Sequence, residues 1–184
     1  PIVLNMLANA PQDQQKDLKR KVIVVVDKSE NIKFKSTKLY SGFTCCFRQW
    51  RAELTHCKYM HGYSVSFRVT YEGDLDDNHW VWDFGGIKRA ETFIDGMPAK
   101  EWMSFMFDHT VIVAEDDPEA DLFRKMDEQG VIQLRWVEAI GAEKFAELVF
   151  QKLNAFVRLE TSGRVKVAQV EFFENPNNSA IYYE

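Results

Sequence analysis

Apolar and polar residues alternate strictly in one segment of the first half of the chain. Between Tyr63 and Tyr71 the apolar side chains fall at odd positions and the polar ones at even positions. This period of two predicts a strand with one buried face. His61 continues the odd positions, so the pattern also predicts an inward-pointing imidazole. Cys57 lies four residues earlier, which places a thiol and an imidazole together at the start of the strand.

Further strand patterns flank this segment. The β-branched run at 22–26 predicts a strand that is buried on both faces or paired at an interface. Residues 32–46 predict either a strand pair or one long bent strand with a bulge at Gly42. An acidic loop at 72–78 separates the alternating strand from residues 79–84, which predicts a hairpin. Four antiparallel strands are therefore expected before the first long helix.

Helical spacing begins after these strands. Residues 86–107 predict a helix that is broken near positions 96 and 98 by glycine and proline. Asp117 and Pro118 predict the N-cap and first residue of a second helix, which ends at Gly130. The buried stripe of this second helix is predicted to comprise Leu122, Phe123 and Met126.

The most regular helical spacing occupies residues 142–157. A last strand at 165–173 then leads to Glu174 and a polar tail. Strands followed by helices and a final strand predict an α+β fold, with helices on one face of an antiparallel sheet. The length suits one domain at 21–184 preceded by an N-terminal arm at 1–20.

Composition narrows the class of protein. With 46% hydrophobic and 14% aromatic residues, the chain is not of the disordered or low-complexity type. Its net charge of -5 gives no support for nonspecific binding to nucleic acid or to an anionic membrane, although a small anionic ligand remains compatible. No apolar run approaches the roughly 20 residues of a membrane span. We therefore expect a cytoplasmic protein whose three cysteines are free thiols in a reducing compartment.

Residues at three positions in the sequence could take part in catalysis or ligand binding. Cys57 could abstract a proton as a thiolate if a cation or metal lowers its pKa, or it could be a small buried apolar residue. Asp108 and His109 are adjacent, so the carboxylate is not expected to orient its neighbour's imidazole, yet His109 could relay a proton at another subunit's site. Glu174 could accept two hydrogen bonds from a guanidine-like ring edge, or it could be a solvated strand end.

These residues belong to a series of short motifs in a fixed order. The motifs are Phe43-Thr44-Cys45-Cys46-Phe47-Arg48, Cys57 to Tyr63, Asp83-Phe84-Gly85 ahead of Lys88, Asp108-His109, Gly141-Ala142-Glu143, and Glu174-Asn175-Pro176 with Ala180 and Tyr182. In this order they resemble the 6-pyruvoyl-tetrahydropterin synthase and 6-carboxy-tetrahydropterin synthase family over roughly residues 40–184.

The resemblance implies a tunnelling fold, in which subunits assemble into a β-barrel, commonly as a hexamer made of two trimers, with active sites at the subunit interfaces. It also implies a pterin triphosphate substrate held by Glu174 and Glu143. Cys57 would then be the general base, and Asp108 with His109 would assist proton transfer.

The family also implies a zinc ion bound by three histidines, which polarises the substrate side chain. Here Phe47 and Tyr63 stand at the first and third of these positions, and only His61 matches. One imidazole cannot hold catalytic zinc tightly, so the protein is expected to be poor in metal. Replacement ligands would have to come from His56, Cys45, Cys46 or a phenolate at Tyr63.

Three functions are compatible with these features. The leading hypothesis is a lyase that converts 7,8-dihydroneopterin triphosphate to a 6-substituted tetrahydropterin, with the 6-carboxy product of a deazapurine (queuosine) pathway favoured by resemblance. A non-catalytic or altered-chemistry member that keeps the pterin pocket is the alternative. A third reading is an assembly protein whose pocket is vestigial.

Overall fold

The computed structural model describes residues 33–88 and 92–184. The predicted arm at 1–20 and the predicted strand at 22–26 lie outside the described residues. In chain order the elements are β1 (Phe34–Phe47), β2 (His61–Gly73), β3 (Phe93–Ile94), β4 (Met97–Pro98), α1 (Ala99–Phe107), β5 (Thr110–Ala114), α2 (Ala120–Glu128), β6 (Leu134–Val137), α3 (Ala142–Glu160), β7 (Val165–Asn175) and β8 (Asn178–Tyr183).

Six of the strands form one sheet in the order β6-β5-β1-β2-β7-β8. The pairs β1–β2, β2–β7 and β7–β8 are antiparallel, whereas β1–β5 and β5–β6 are parallel. The α+β fold class is thus confirmed, with a mixed edge on an otherwise antiparallel sheet. The sequence pattern did not reveal β5, since four of its five residues are buried and no alternation marks it.

The two long central strands follow the hydrophobic pattern closely. β1 is one bent strand, with a register shift between Tyr40 and Phe43 and a φ of 90° at Gly42, so the predicted bulge is confirmed. In β2 the odd positions from Val65 onward are buried, as the alternation predicts. The prediction that His61 points inward is wrong. His61 is exposed, because it is the first residue of β2 and lies beyond the edge of the core.

The hairpin predicted after this strand is wrong. Both edges of β2 are occupied, by β1 on one side and β7 on the other, which leaves no edge for residues 79–84. The acidic loop instead turns around Asp76, whose Oδ1 accepts hydrogen bonds of 2.9 Å from the backbone N–H groups of Asn78 and Trp80. Residues Phe84–Lys88 then form a short 3-10 helix.

Two of the three predicted helices begin later than the sequence suggests. The stretch 86–107 is helical only in α1, because Asp95 and Gly96, with φ of 50° and 82°, form the turn of the β3–β4 hairpin. α2 begins at Ala120, although the Asp117 carboxylate does accept a hydrogen bond of 2.9 Å from the Glu119 N–H. Leu122, predicted to be buried, is 52% exposed.

The longest helix and the end of the chain position the candidate site. α3 confirms the predicted helix and packs across β7 and β8 through seven buried side chains. The segment predicted to be a polar tail forms β8, which pairs with β7. The core between sheet and helices is rich in aromatic rings, among them Phe47, Phe67, Phe107, Phe145 and Phe172. Within the described residues, none of the helices has both the length and the apolar character needed to cross a membrane.

Candidate active site

A cleft of about 720 Å³ opens beyond the point where β2 and β7 stop pairing. Their ladder ends at Ser66 and Phe173, and the next residue of β7 is Glu174. The walls of the cleft include Cys57, His61, Tyr63 and Glu174. The structure therefore brings a thiol, an imidazole, a phenol and a carboxylate to one opening. Cys57 and Glu174, which are 117 residues apart in the sequence, were both predicted as site residues.

The Cys57 thiol is held at the cleft by the loop that connects β1 to β2. The Cys57 N–H donates to Thr55 Oγ1 at 3.2 Å. The Cys57 carbonyl accepts a hydrogen bond of 2.8 Å from the Gln49 N–H. These two contacts place Cys57 in a single 3-10 turn, His56–Lys58, with its side chain partly buried.

The His61 ring is fixed by hydrogen bonds at both nitrogens. Nδ1 lies 2.7 Å from the Tyr59 carbonyl oxygen, and Nε2 contacts the Tyr63 hydroxyl. A carbonyl oxygen only accepts, so Nδ1 carries the proton. In the neutral imidazole Nε2 is then the acceptor, and the Tyr63 hydroxyl donates to it. The lone pair through which His61 would bind a metal is thus engaged by Tyr63.

The Tyr63 phenol is held in its protonated form. Burial raises its pKa well above the ordinary value, and the nearby Glu174, Cys57 and Cys45 raise it further, Glu174 also through a hydrogen bond. A phenol in this environment resists ionisation at neutral pH. Tyr63 is therefore a poor source of the phenolate that zinc binding would require.

The Phe47 ring fills the remaining position of the expected metal site. It is 1% exposed and stacks on Tyr63, with ring centroids 3.9 Å apart and an interplanar angle of 4°. It also forms an edge-to-face pair with Phe145, with ring centroids 5.0 Å apart. Phe47 is also the direct cross-strand partner of His61. The three positions therefore do converge in space, but the side chains form an aromatic cluster.

This donor set does not fit a zinc ion. Catalytic zinc sites use three protein ligands, and here the cluster offers one engaged imidazole, one protonated phenol and one phenyl ring. The replacement ligands do not converge either, since His56 is exposed and Cys45 is buried on the inner face. Across residues 33–88 and 92–184, no group of three or more His, Cys, Asp or Glu side chains is placed to hold a metal ion.

Asp108 and His109 form a hydrogen-bonded pair, which the sequence argument did not expect. Asp108 Oδ1 accepts from His109 Nδ1 at 2.9 Å. This geometry is reached because His109 has a φ of 57°, which folds the ring back toward the preceding side chain. Thr44 holds the pair on β1: its N–H and Oγ1 both donate to Asp108 at 3.3 Å, and its carbonyl accepts from the His109 N–H at 2.6 Å.

The His109 side chain is 78% exposed and lies on a groove next to the Cys57 cleft. Tyr63 and Ser64 border both openings. With Nδ1 engaged by Asp108, Nε2 of His109 faces outward. The pair is thus suited to exchange a proton with a group brought from outside this chain.

Glu143 lies in a separate cleft of about 670 Å³ at the start of α3. Gln49, which holds the Cys57 loop, also lines this second cleft. The predicted pairing of Glu143 with Glu174 around one ligand is therefore not seen within a single chain.

Arg48, the last residue of the first motif, is engaged away from the Cys57 cleft. Its guanidinium binds the buried Asp117, with Nε 2.9 Å from Oδ2. Burial raises the pKa of the Asp117 carboxyl, but the hydrogen bonds from Arg48 and from the Glu119 N–H outweigh it, and the pKa is lowered overall. The hydrogen bonds to Asp117 in turn raise the pKa of Arg48. This ion pair joins the end of β1 to the start of α2.

The three cysteines are free thiols, as expected. Cys45 is the least accessible of them, since it alone is buried. This burial raises its pKa to about 12, and the neighbouring Cys46 and Asp108 add to the shift. Sequence reasoning did not identify the Tyr59 carbonyl or Thr44 as supports of the site. Neither carries a sequence signal, since both act through contacts that form only when distant segments meet.

The chain matches a known protein family over most of its described length. The family described as 6-pyruvoyl tetrahydropterin synthase matches residues 37–184. None of the curated proteins matches the chain.

Solved structures share the fold at low sequence identity. An uncharacterized protein from Wolinella succinogenes has a TM-score of 0.67 and 20% identity, over 83% of this chain and 99% of that one. The 6-pyruvoyl tetrahydropterin synthase of Caenorhabditis elegans has a TM-score of 0.52 and 17% identity, over 83% and 96%. The 6-pyruvoyltetrahydropterin synthase of Plasmodium vivax has a TM-score of 0.56 and 14% identity, over 82% and 98%. These likenesses support the tunnelling fold, and the family match covers most of the sequence. The chain therefore belongs to the 6-pyruvoyl tetrahydropterin synthase family.

Proposed function

We propose that this protein is a lyase that acts on 7,8-dihydroneopterin triphosphate and releases a 6-substituted tetrahydropterin, with the 6-carboxy product of a queuosine-type deazapurine pathway as the favoured outcome. The observation that carries the proposal is the convergence of Cys57 and Glu174 in one cleft at the end of the β2–β7 ladder. Family membership supports a pterin as the ligand.

Glu174 is the proposed anchor of the pterin ring. A pterin carries an amino group and a ring N–H side by side, and a carboxylate accepts such a donor pair with two parallel hydrogen bonds. Glu174 lies one residue past the paired part of β7, where its side chain reaches the cleft. It would fix the ring so that the 6-side chain points toward Cys57, the proposed base that removes a proton from the substrate side chain.

Asp108 and His109 are the proposed proton-transfer pair, and a second copy of the chain would bring them to the site. Their exposed position beside the cleft, with His109 Nε2 facing outward, supports an active site shared between subunits. This arrangement requires the homo-oligomer, proposed to be a hexamer, that the family resemblance suggests. Glu143 remains a proposed substrate contact, which would act across the same interface from its own cleft.

Zinc is not part of the proposed mechanism, because the donor set of Phe47, His61 and Tyr63 does not fit it. The same aromatic cluster supports a second candidate function, in which the protein binds pterin but carries out altered chemistry or none. In both candidate functions Glu174 binds the pterin ring. They differ in whether Cys57 acts as a base in the conversion of the substrate.

Binding is tested by titrating purified protein with 7,8-dihydroneopterin triphosphate and following pterin fluorescence. We expect Glu174→Gln to weaken binding by about 1.5–3 kcal/mol, because a charge-assisted acceptor is lost while the fold is kept. Glu128→Gln, an exposed carboxylate at the end of α2, is the matched control and should bind normally. Equal affinity of the Glu174→Gln variant and the unmodified protein would rule out the anchor.

Catalysis is tested by incubating the protein with the same substrate and identifying products by mass spectrometry. A 6-carboxy product supports the leading proposal, and a 6-pyruvoyl product would reassign the chemistry within the family. Tight binding without any product would favour the non-catalytic candidate.

A further inference from the structure

The Cys57 cleft is not equipped to hold phosphate. Its described lining carries the Glu174 carboxylate and includes neither lysine nor arginine. The proposed substrate, in contrast, bears a triphosphate with several negative charges. A polyanion is repelled by a nearby carboxylate and attracted by ammonium and guanidinium groups, so its phosphates require cations on a neighbouring part of the surface.

A basic cleft of about 490 Å³ adjoins the Cys57 cleft. It lies between β1, the 3-10 helix Phe84–Lys88 and α1. Ser41 and Gly42, at the bulge of β1, line both clefts. A ligand that occupies the Cys57 cleft can therefore extend into the basic cleft across this bulge.

Each of the three elements contributes one lysine to this second opening, which we call the lysine cleft. Lys38 comes from β1, Lys88 from the end of the 3-10 helix and Lys100 from the first turn of α1. The ion pairs among residues 33–88 and 92–184 involve none of these three lysines. In the described lining the sole carboxylate is Asp108, whose Oδ1 already accepts hydrogen bonds from Thr44. The lysine cleft therefore carries an excess of positive charge.

Ammonium groups in this arrangement suit a chain of phosphates. Each lysine is a compact charge with three donors on a flexible stem, so it can follow a phosphate oxygen without a fixed geometry. Lys38 Nζ lies 6.0 Å from the centroid of the Phe84 ring, a cation–π contact at the wall of the cleft.

We propose that the lysine cleft binds the triphosphate of the substrate while the pterin ring lies in the Cys57 cleft. The substrate side chain then crosses the bulge at Gly42, which has no side chain to obstruct it. This inference rests on the proposed function, because it assumes that the pterin lies on Glu174. It assigns recognition of the phosphates to Lys38, Lys88 and Lys100.

Two pterins that differ only in phosphate test the proposal: 7,8-dihydroneopterin triphosphate and 7,8-dihydroneopterin. Both are titrated into the full chain carrying Cys57→Ala, so that the substrate is not consumed. We expect Lys38→Gln/Lys100→Gln to lower affinity for the triphosphate about 25-fold, or about fivefold per lysine, which corresponds to a strong exposed ion pair. Affinity for dihydroneopterin should not change. The control is Lys125→Gln/Lys166→Gln, which removes two positive charges outside the lysine cleft and should bind both pterins almost normally.

Salt dependence provides a second measurement that needs no substitution in the lysine cleft. The triphosphate should bind the Cys57→Ala protein more tightly than dihydroneopterin does. This advantage should shrink when sodium chloride is raised from about 50 mM to about 500 mM, because exposed charges are then screened. A triphosphate that binds no more tightly than dihydroneopterin at low salt would overturn the proposal.

The outcomes separate this inference from the function on which it rests. If Lys38→Gln/Lys100→Gln loses no more triphosphate affinity than the control, or loses affinity for both pterins equally, the lysine cleft does not hold the phosphates and the pterin site stands. If neither pterin binds the Cys57→Ala protein, the proposed function fails. Inorganic tripolyphosphate then decides the rest: binding that disappears in Lys38→Gln/Lys100→Gln would keep the lysine cleft as a polyphosphate site, and no binding would overturn both proposals.

Discussion

Restoring histidines at positions 47 and 63 should convert the aromatic cluster into a zinc site. Phe47 lies directly opposite His61 on the neighbouring strand, and residues 61 and 63 share one face of β2. The ring centroids of His61 and Tyr63 are 4.5 Å apart, and those of Phe47 and Tyr63 are 3.9 Å apart. Three imidazoles in these positions would supply the ligand number that catalytic zinc uses.

The change in the free energy of unfolding follows from the contacts of Phe47. The Phe47→His substitution in the double variant loses the aromatic pairing with Tyr63 and Phe145, worth about 0.5–1.5 kcal/mol. It also buries an imidazole N–H with no acceptor, which costs about 1–3 kcal/mol. Without metal the Phe47→His/Tyr63→His variant should therefore be less stable by about 2–4 kcal/mol. Zinc at 100 times its Kd returns about 2.7 kcal/mol, which offsets much of that loss.

The assay is thermal unfolding of the double variant and of the unmodified protein, each with a chelator and with added zinc. For a chain of this size, the loss corresponds to a Tm lower by about 5–15 °C, and zinc should restore much of it. The unmodified protein should show no zinc-dependent change in Tm and should carry much less than one zinc per chain by elemental analysis.

The control is Phe47→Leu/Tyr63→Phe, which disturbs the same cluster without adding ligands and should not respond to zinc. Two results would refute the reasoning. One is stoichiometric zinc in the unmodified protein that disappears in His61→Ala. The other is a folded double variant whose Tm is the same with zinc and with chelator.

Two further predictions concern a thiol and an ion pair. Iodoacetamide should modify Cys57 faster than Cys45, because Cys45 is buried and its pKa is raised to about 12. Modification of Cys57 should abolish turnover. Full activity after complete modification of Cys57 would exclude it as the base. Asp117→Asn should lower the free energy of unfolding by about 3–5 kcal/mol in urea titrations, because Arg48 loses its buried partner. The exposed pair made by Asp116 is the control, and Asp116→Asn should cost no more than about 1 kcal/mol. The pKa of Asp117 is lowered in the folded state, so its contribution to the free energy of unfolding is complete above the ordinary carboxyl pKa and is lost as the pH falls through the lowered value. The stability difference between the unmodified protein and Asp117→Asn should therefore shrink in acid. A stability difference independent of pH would contradict this.

The local pattern of the sequence determined the elements that have a clear period. The alternation in β2, the bulge at Gly42 in β1 and the spacing of α3 were all predicted, because each depends on residues that are neighbours along the chain. The order of the motifs was also enough to indicate the family and the cleft residues Cys57 and Glu174.

Tertiary structure decided which strand edges pair and which side chains meet. β2 pairs with β1 and β7, so the apparent hairpin after it could not form, and β8 became a strand only because β7 offers it an edge. The positive φ that turns His109 back onto Asp108 is likewise set by Thr44 on another strand.

The sequence and the folded chain each determined part of what is known about the expected zinc site. The sequence alone determined that only one of three expected zinc ligands is an imidazole. The folded chain decided that Phe47 and Tyr63 stack and that His61 is engaged at both nitrogens. These are contacts between two strands and a loop, and their hydrogen-bond directions depend on distances that only the folded state sets.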